Sequence, residues 1–142
     1  MALACGVPDE PGCTAADCED RLELAFVRRD QKPFREGEYA VSVSLNGTEV
    51  REGHCTVAAG KALVCDADSG FDNARMTQGL LEFHVSIKAA PTSATAGLWR
   101  GDKLLGKHTV QPDYTIVTPG GIECGPVCYQ SQELIEVSDS GR

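Results

Sequence analysis

The chain has 142 residues, with 13 basic and 21 acidic side chains, a net charge of −8, and seven cysteines. This length fits one domain, and the acidic balance repels nucleic-acid phosphates and anionic lipid headgroups, which argues against a nucleic-acid partner. No run approaches the roughly 20 apolar residues that a bilayer-spanning helix needs.

Residues 1–20 hold Gly6, Pro8, Pro11 and Gly12 among small and acidic neighbours, without helical or strand periodicity, and read as a tether. Six of the cysteines form short-range pairs in sequence: Cys13/Cys18, Cys55/Cys65 and Cys124/Cys128. Such usage belongs to an oxidising compartment and a disulfide-stapled fold. The two flanking pairs are able to exchange partners if the termini meet in space. The central pair is not, because folding residues 55–65 about Gly60 sets Cys55 opposite Cys65 and Val57 opposite Leu63 on adjacent antiparallel strands.

From residue 21 onward the apolar positions recur with period two, the signature of strands with one buried face. Leu22, Leu24 and Phe26 make a first strand. Tyr39, Val41, Val43 and Leu45 make a second, which runs into Asn46-Gly47, a strong hairpin signal because both residues accept positive φ. Thr48 to Val50 should return antiparallel, and Cys55 to Val57 with Leu63 to Cys65 should form a tight pair. Residues 69–79 fit neither period and read as a helical turn or a sheet-crossing loop. Leu81, Phe83, Val85 and Ile87 then point to a core, while Glu82, His84, Ser86 and Lys88 are expected to face solvent. Further strands are expected at Gly97 to Trp99, Leu104 to Val110, Tyr114 to Thr118 and Leu134 to Val137. Gly101-Asp102 suits a two-residue turn between Arg100 and Lys103. The expected architecture is all-β, an antiparallel β-sandwich of about seven to nine short strands over residues 21–138, with a disordered tail at 139–142.

Candidate chemistry is sparse. His54, His84 and His108 come without a nucleophile elbow or a plausible reactive thiol, which predicts no enzymatic activity and no catalytic residue. Zinc on Cys13, Cys18, Cys124 and Cys128 would need reduced thiolates, at spacings unlike the tight two-residue knuckle. Asp66, Asp68 and Asp72 around Gly70 lack the Gly position and bidentate Glu of a calcium loop and read as a solvated acidic loop. No metal and no cofactor are expected. Arg100-Gly101-Asp102 matches an adhesion tripeptide, but turn chemistry accounts for it. The same holds for Asn46-Gly47-Thr48 as a glycosylation acceptor.

Met1-Ala2-Leu3-Ala4-Cys5 resembles the small-residue end of a bacterial lipoprotein signal just before its lipidated cysteine, although Ala2 stands where that pattern has Leu. This resemblance implies that Cys5 is a lipid anchor and that Met1 is an added start on a trimmed chain. The alternative is a native Met1 and a cytosolic protein with reduced or metal-binding cysteines. Gly37-Glu38-Tyr39-Ala40-Val41-Ser42-Val43 resembles a strand of immunoglobulin-like and transthyretin-like sandwich modules. The early cysteine, Pro33-Phe34, the central pair, and Pro112-x-Tyr114 leading to Cys124-Gly125-Pro126-Val127-Cys128 together resemble small exported lipoproteins of a myxobacterial type. The resemblance spans roughly residues 20–137 and implies location and fold, with no catalytic residue to carry over. The function expected is that of a non-catalytic lipoprotein of the periplasm, outer membrane or cell surface, binding or supporting an envelope or extracellular protein or a glycan. It would meet the membrane only through the lipid on Cys5. The competing expectation is a secreted ligand-binding or inhibitory domain without a lipid.

Overall fold

The computed structural model describes residues 18–58, 62–87, 89–121 and 126–139. Within them lie ten strands: β1 (Arg21–Arg28), β2 (Gly37–Leu45), β3 (Glu49–Val57), β4 (Leu63–Cys65), β5 (Asn73–Thr77), β6 (Leu80–Ser86), β7 (Ala94–Arg100), β8 (Lys103–Val110), β9 (Thr115–Val117) and β10 (Cys128–Val137). They form two five-stranded sheets, in the orders β5-β6-β1-β10-β9 and β4-β3-β2-β7-β8.

Period two decides which residues meet between the sheets. Leu22, Leu24 and Phe26 of β1, with Leu81, Phe83 and Val85 of β6, are fully buried against Tyr39, Val41 and Val43 of β2 and Ala96 and Leu98 of β7. Phe83 is the hinge of the aromatic packing, with its ring centroid 5.8 Å from Phe26 and 5.1 Å from Phe71. At about 25 cal/mol per Å², this apolar burial is the main force holding the sheets together.

Three turns follow from local chemistry. Asn46 and Gly47 both take positive φ, 52° and 74°, and Thr48 N donates to Leu45 O at 3.1 Å. Gly101 takes φ 59° at the first turn position, and Arg100 pairs with Lys103 across it. The third lies where the sequence reads as loop: Gln78 and Gly79, at φ 52° and 83°, turn β5 into β6. This corrects the reading of residues 69–79. Ala74 and Met76 alternate as strand residues, pairing with Phe83 and Leu81, and only 66–72 cross between the sheets. Phe71 plugs that crossing, its ring 3.0 Å from where a Cβ on Gly53 would stand.

The antiparallel expectation holds for every described strand pair except one. β1 and β10, the first and last strands, run parallel, with Arg21 opposite Gln130 through Arg28 opposite Val137. A parallel pair needs a long crossover, and here the rest of the domain supplies it. The expected separate strands at 48–50 and 55–57 are one strand, β3, paired with β2 from Leu45↔Glu49 to Gly37↔Val57. β10 also begins well before the expected Leu134, at Cys128.

One edge of the sandwich is closed by β10 and β8. Ser138 N donates to Leu105 O at 3.0 Å, and Val137 packs so tightly on Gly106 that an added Cβ would lie 2.8 Å from its Cγ1.

Candidate functional site

The central cysteine pair stands as the register reading requires. Cys55 faces Cys65 and Val57 faces Leu63, and a disulfide joins the two cysteines at a Cα separation of 3.9 Å. The flanking pairs do not follow sequence proximity. Cys18 is joined to Cys128, 110 residues away, with Cα atoms 6.1 Å apart. The physical reason is the parallel β1–β10 pair, which brings the start of the first strand beside the start of the last. Cys13, Cys124 and Cys5 lie outside the described residues. The bridge also leaves Cys18 and Cys128 unable to serve a metal as thiolates.

The same junction corrects the tether boundary. Asp20 accepts a hydrogen bond from Tyr129 N at 2.8 Å, and Glu19 O accepts one from Gln130 Nε2 at 3.2 Å. Residues 18–20 are therefore fastened to β10 and belong to the domain. Asp139, placed in the tail by its polar neighbours, is also part of the fold.

Its carboxylate is fully buried and receives the Arg100 guanidinium in a two-pronged pair, Nε to Oδ2 at 2.7 Å and Nη2 to Oδ1 at 2.8 Å. Lys103 Nζ lies 3.5 Å from the same carboxylate. Beside them Arg28 continues the inward parity of β1 and donates to Pro33 O at 3.0 Å, Asp30 Oδ2 at 2.6 Å and Asp139 O at 3.3 Å. This ionic plug seals one end of the core. It also decides the adhesion tripeptide: Arg100 is bound to Asp139 beneath the turn, and only Gly101 and Asp102 form the exposed tip. Asn46 Oδ1 accepts from Thr92 N, Thr92 Oγ1 and Ser93 N at 3.0 to 3.2 Å and so fastens its turn to the chain leading into β7.

Tyr39 and Tyr114 donate their hydroxyls to Arg35 O at 2.6 Å and Pro91 O at 2.8 Å. Burial, reinforced by the Asp139 carboxylate, pushes the Tyr39 phenol up to about 12. Burial, with Glu133 adding to it, does the same for Tyr114, also to about 12.

The largest correction concerns β6. Its inward residues are as expected, but Glu82 and His84 on the opposite face are buried as well, at 6% and 8% exposure. Strand alternation locates a face and does not say whether neighbours cover it. Here β1 and β5 flank β6 in register, with Glu23 and Asn73 opposite His84 and Ala25 and Arg75 opposite Glu82. Cross-strand neighbours at that spacing touch. His84 Nε2 lies 3.1 Å from Glu23 Oε1, Arg75 Nε donates to Glu82 Oε1 at 2.8 Å, and Gln132 Nε2 donates to Glu23 Oε2 at 3.0 Å. Glu23, Glu82 and His84 bring one ligand atom each within 4.8 Å of one another. Among the described residues this is the one such convergence; Asp66, Asp68 and Asp72 are exposed and do not converge.

On the outside of the other sheet, Glu38, His54, Asp66 and Asp102 border a depression of about 480 Å³. His54 on β3 and His108 on β8 are exposed with two strands between them, and His84 is buried on the opposite sheet, so the fold brings no two histidines to one site. Among the described residues, no helix is long and apolar enough to cross a membrane. Comparison with models of known protein families, with characterised proteins and with solved structures gives no match for this chain.

Proposed function

We propose that the domain is the exported, non-catalytic part of a cell-envelope lipoprotein, held through a lipid on Cys5 and serving as a binding or structural module for an envelope or extracellular protein or a glycan. The observation that carries this reading is the Cys18–Cys128 bridge. A module held by its N-terminal segment takes any pull at the start of β1. The disulfide ties that point to β10, and the Asp20 and Glu19 contacts reinforce it. Two disulfides in a domain of this size also suit an oxidising compartment. The Tyr39 hydroxyl, returning to a carbonyl four residues upstream, resembles the tyrosine corner of immunoglobulin-like sandwiches and supports that likeness.

The test is expression in a Gram-negative host from the native reading frame, including the codons upstream of Ala2. The parent should enter the detergent phase, because acyl chains on one cysteine anchor a protein stably, and Cys5→Ala should release it. Equal partitioning of the two proteins would overturn the lipoprotein reading and favour a secreted domain.

A further inference from the structure

Outside the core and the ionic plug, one feature is built like a site without having a partner that completes it. His84 is nine-tenths buried, and its Nε2 makes no hydrogen bond, although Glu23 Oε1 stands 3.1 Å away, because the ring nitrogen is not aimed at that oxygen. A buried nitrogen left this way is costly unless something else occupies its lone pair or its proton. The neighbouring carboxylates say which kind of group. Glu23 and Glu82, with side chains 17% and 8% exposed, contribute two negative charges, and Arg75 returns one positive charge to Glu82. Glu23, Glu82 and Arg75 together carry a net charge of −1, which favours a cation as the group that completes the pocket.

We propose that Glu23, Glu82 and His84 form a binding site for a divalent transition cation, Zn²⁺ being the best match. An imidazole nitrogen among the ligands disfavours Ca²⁺ and Mg²⁺, which take oxygen, whereas Zn²⁺ takes nitrogen and carboxylate oxygen together. The spacing fits. Ligand atoms about 2.0–2.1 Å from a tetrahedral ion lie roughly 3.3 Å from one another. His84 and Glu23 are already at 3.1 Å, and Glu82, within 4.8 Å, needs a side-chain shift of about 1.5 Å at most.

The backbone explains why the three meet: Glu23 is directly across from His84, and Glu82 is two residues along β6 on the same face. Arg75 is the competitor, holding Glu82 Oε1 and leaving Oε2 to the ion. Three protein ligands leave a fourth position for water or for a carboxylate or imidazole from a partner.

The experiment uses the full chain, stripped with a chelator and titrated with ZnCl₂ by calorimetry, while the imidazole resonances of all three histidines are followed by NMR. One Zn²⁺ per chain should bind, and it should shift the His84 ring while leaving His54 and His108 in place. His84→Gln and Glu23→Gln should each weaken binding by roughly tenfold or more, and Arg75→Gln should tighten it by freeing Glu82. The NMR reading needs no variant, so it stands even if a substitution here unfolds the sheet. A His84 ring that ignores Zn²⁺, or zinc that perturbs His54 or His108 instead, would overturn the proposal.

Discussion

Cys18 and Cys128 stand just ahead of the first rung of the parallel β1–β10 pair, Arg21↔Gln130, and their disulfide closes a loop of 110 residues. Cys55 and Cys65, within one hairpin, close a loop of ten. In the chain-entropy model these are worth about 4–5 and about 2–3 kcal/mol, respectively. In a background with Cys13 and Cys124 both changed to Ser, so that no other bridge can close the long loop, the Cys18→Ser/Cys128→Ser variant should lose more stability in urea than Cys55→Ser/Cys65→Ser. The reverse order would show that the long loop is already restricted in the unfolded chain.

The two faces of β6 give a second prediction. Val85→Asp puts an unpaired charge into the fully buried core and should cost more than about 4 kcal/mol. His84→Asp adds a third carboxylate beside Glu23 and Glu82 and should cost about 3 kcal/mol or more, whereas His108→Asp, at an exposed site, should cost less than about 1 kcal/mol. Denaturation midpoints decide it; similar losses for His84→Asp and His108→Asp would mean that the outer face of β6 is wet.

How legible the fold was in the sequence divides along physical lines. Leu22, Leu24, Phe26, Tyr39, Val41, Val43, Leu81, Phe83 and Val85 reached the core because period two reports a local property, the direction of each side chain. Asn46-Gly47, Gly101-Asp102 and the Cys55/Cys65 register were readable for the same reason. What escaped depends on the neighbouring strand. Neither the parallel β1–β10 pair, nor the Cys18–Cys128 bridge that follows from it, nor the burial of Glu82 and His84 beneath β1 and β5 has a signature within its own segment. Asp139 reads as tail because nothing nearby announces Arg100 as its partner. β5 was lost to a Gln at positive φ, where Asn or Gly would have marked the turn.

The Arg100–Asp139 pair gives a third prediction. Asp139→Ala leaves the Arg100 guanidinium without its buried carboxylate, while Arg28 keeps Asp30 and the backbone carbonyl of residue 139, and should cost about 3 kcal/mol, with Lys103 contributing little because it is half exposed. If guanidinium chloride unfolding of Asp139→Ala matches that of the parent, residue 139 belongs to the tail after all.

Alkaline stability follows from Tyr39 and Tyr114. Each phenol is pushed up to about 12 in the folded state, from an ordinary value near 10. Between those values the unfolded chain has released protons that the folded chain still holds, so stability falls as pH rises from about 10 to about 12, and is fully present below that window. In a Tyr129→Phe background, which removes the exposed third tyrosine, phenolate absorbance followed together with circular dichroism should show Tyr39 and Tyr114 ionising as the sheets unfold. Ionisation near pH 10 in a folded protein would contradict the burial of these hydroxyls.

The clamp between first and last strands, on which the oxidised sandwich carries its N-terminal segment, is covalent. Peptide mapping by mass spectrometry reads it out, on protein purified and digested without reductant. One cross-linked peptide should join Cys18 to Cys128 and another Cys55 to Cys65. A Cys13–Cys18 or Cys124–Cys128 link, or free thiols at Cys18 and Cys128, would contradict it.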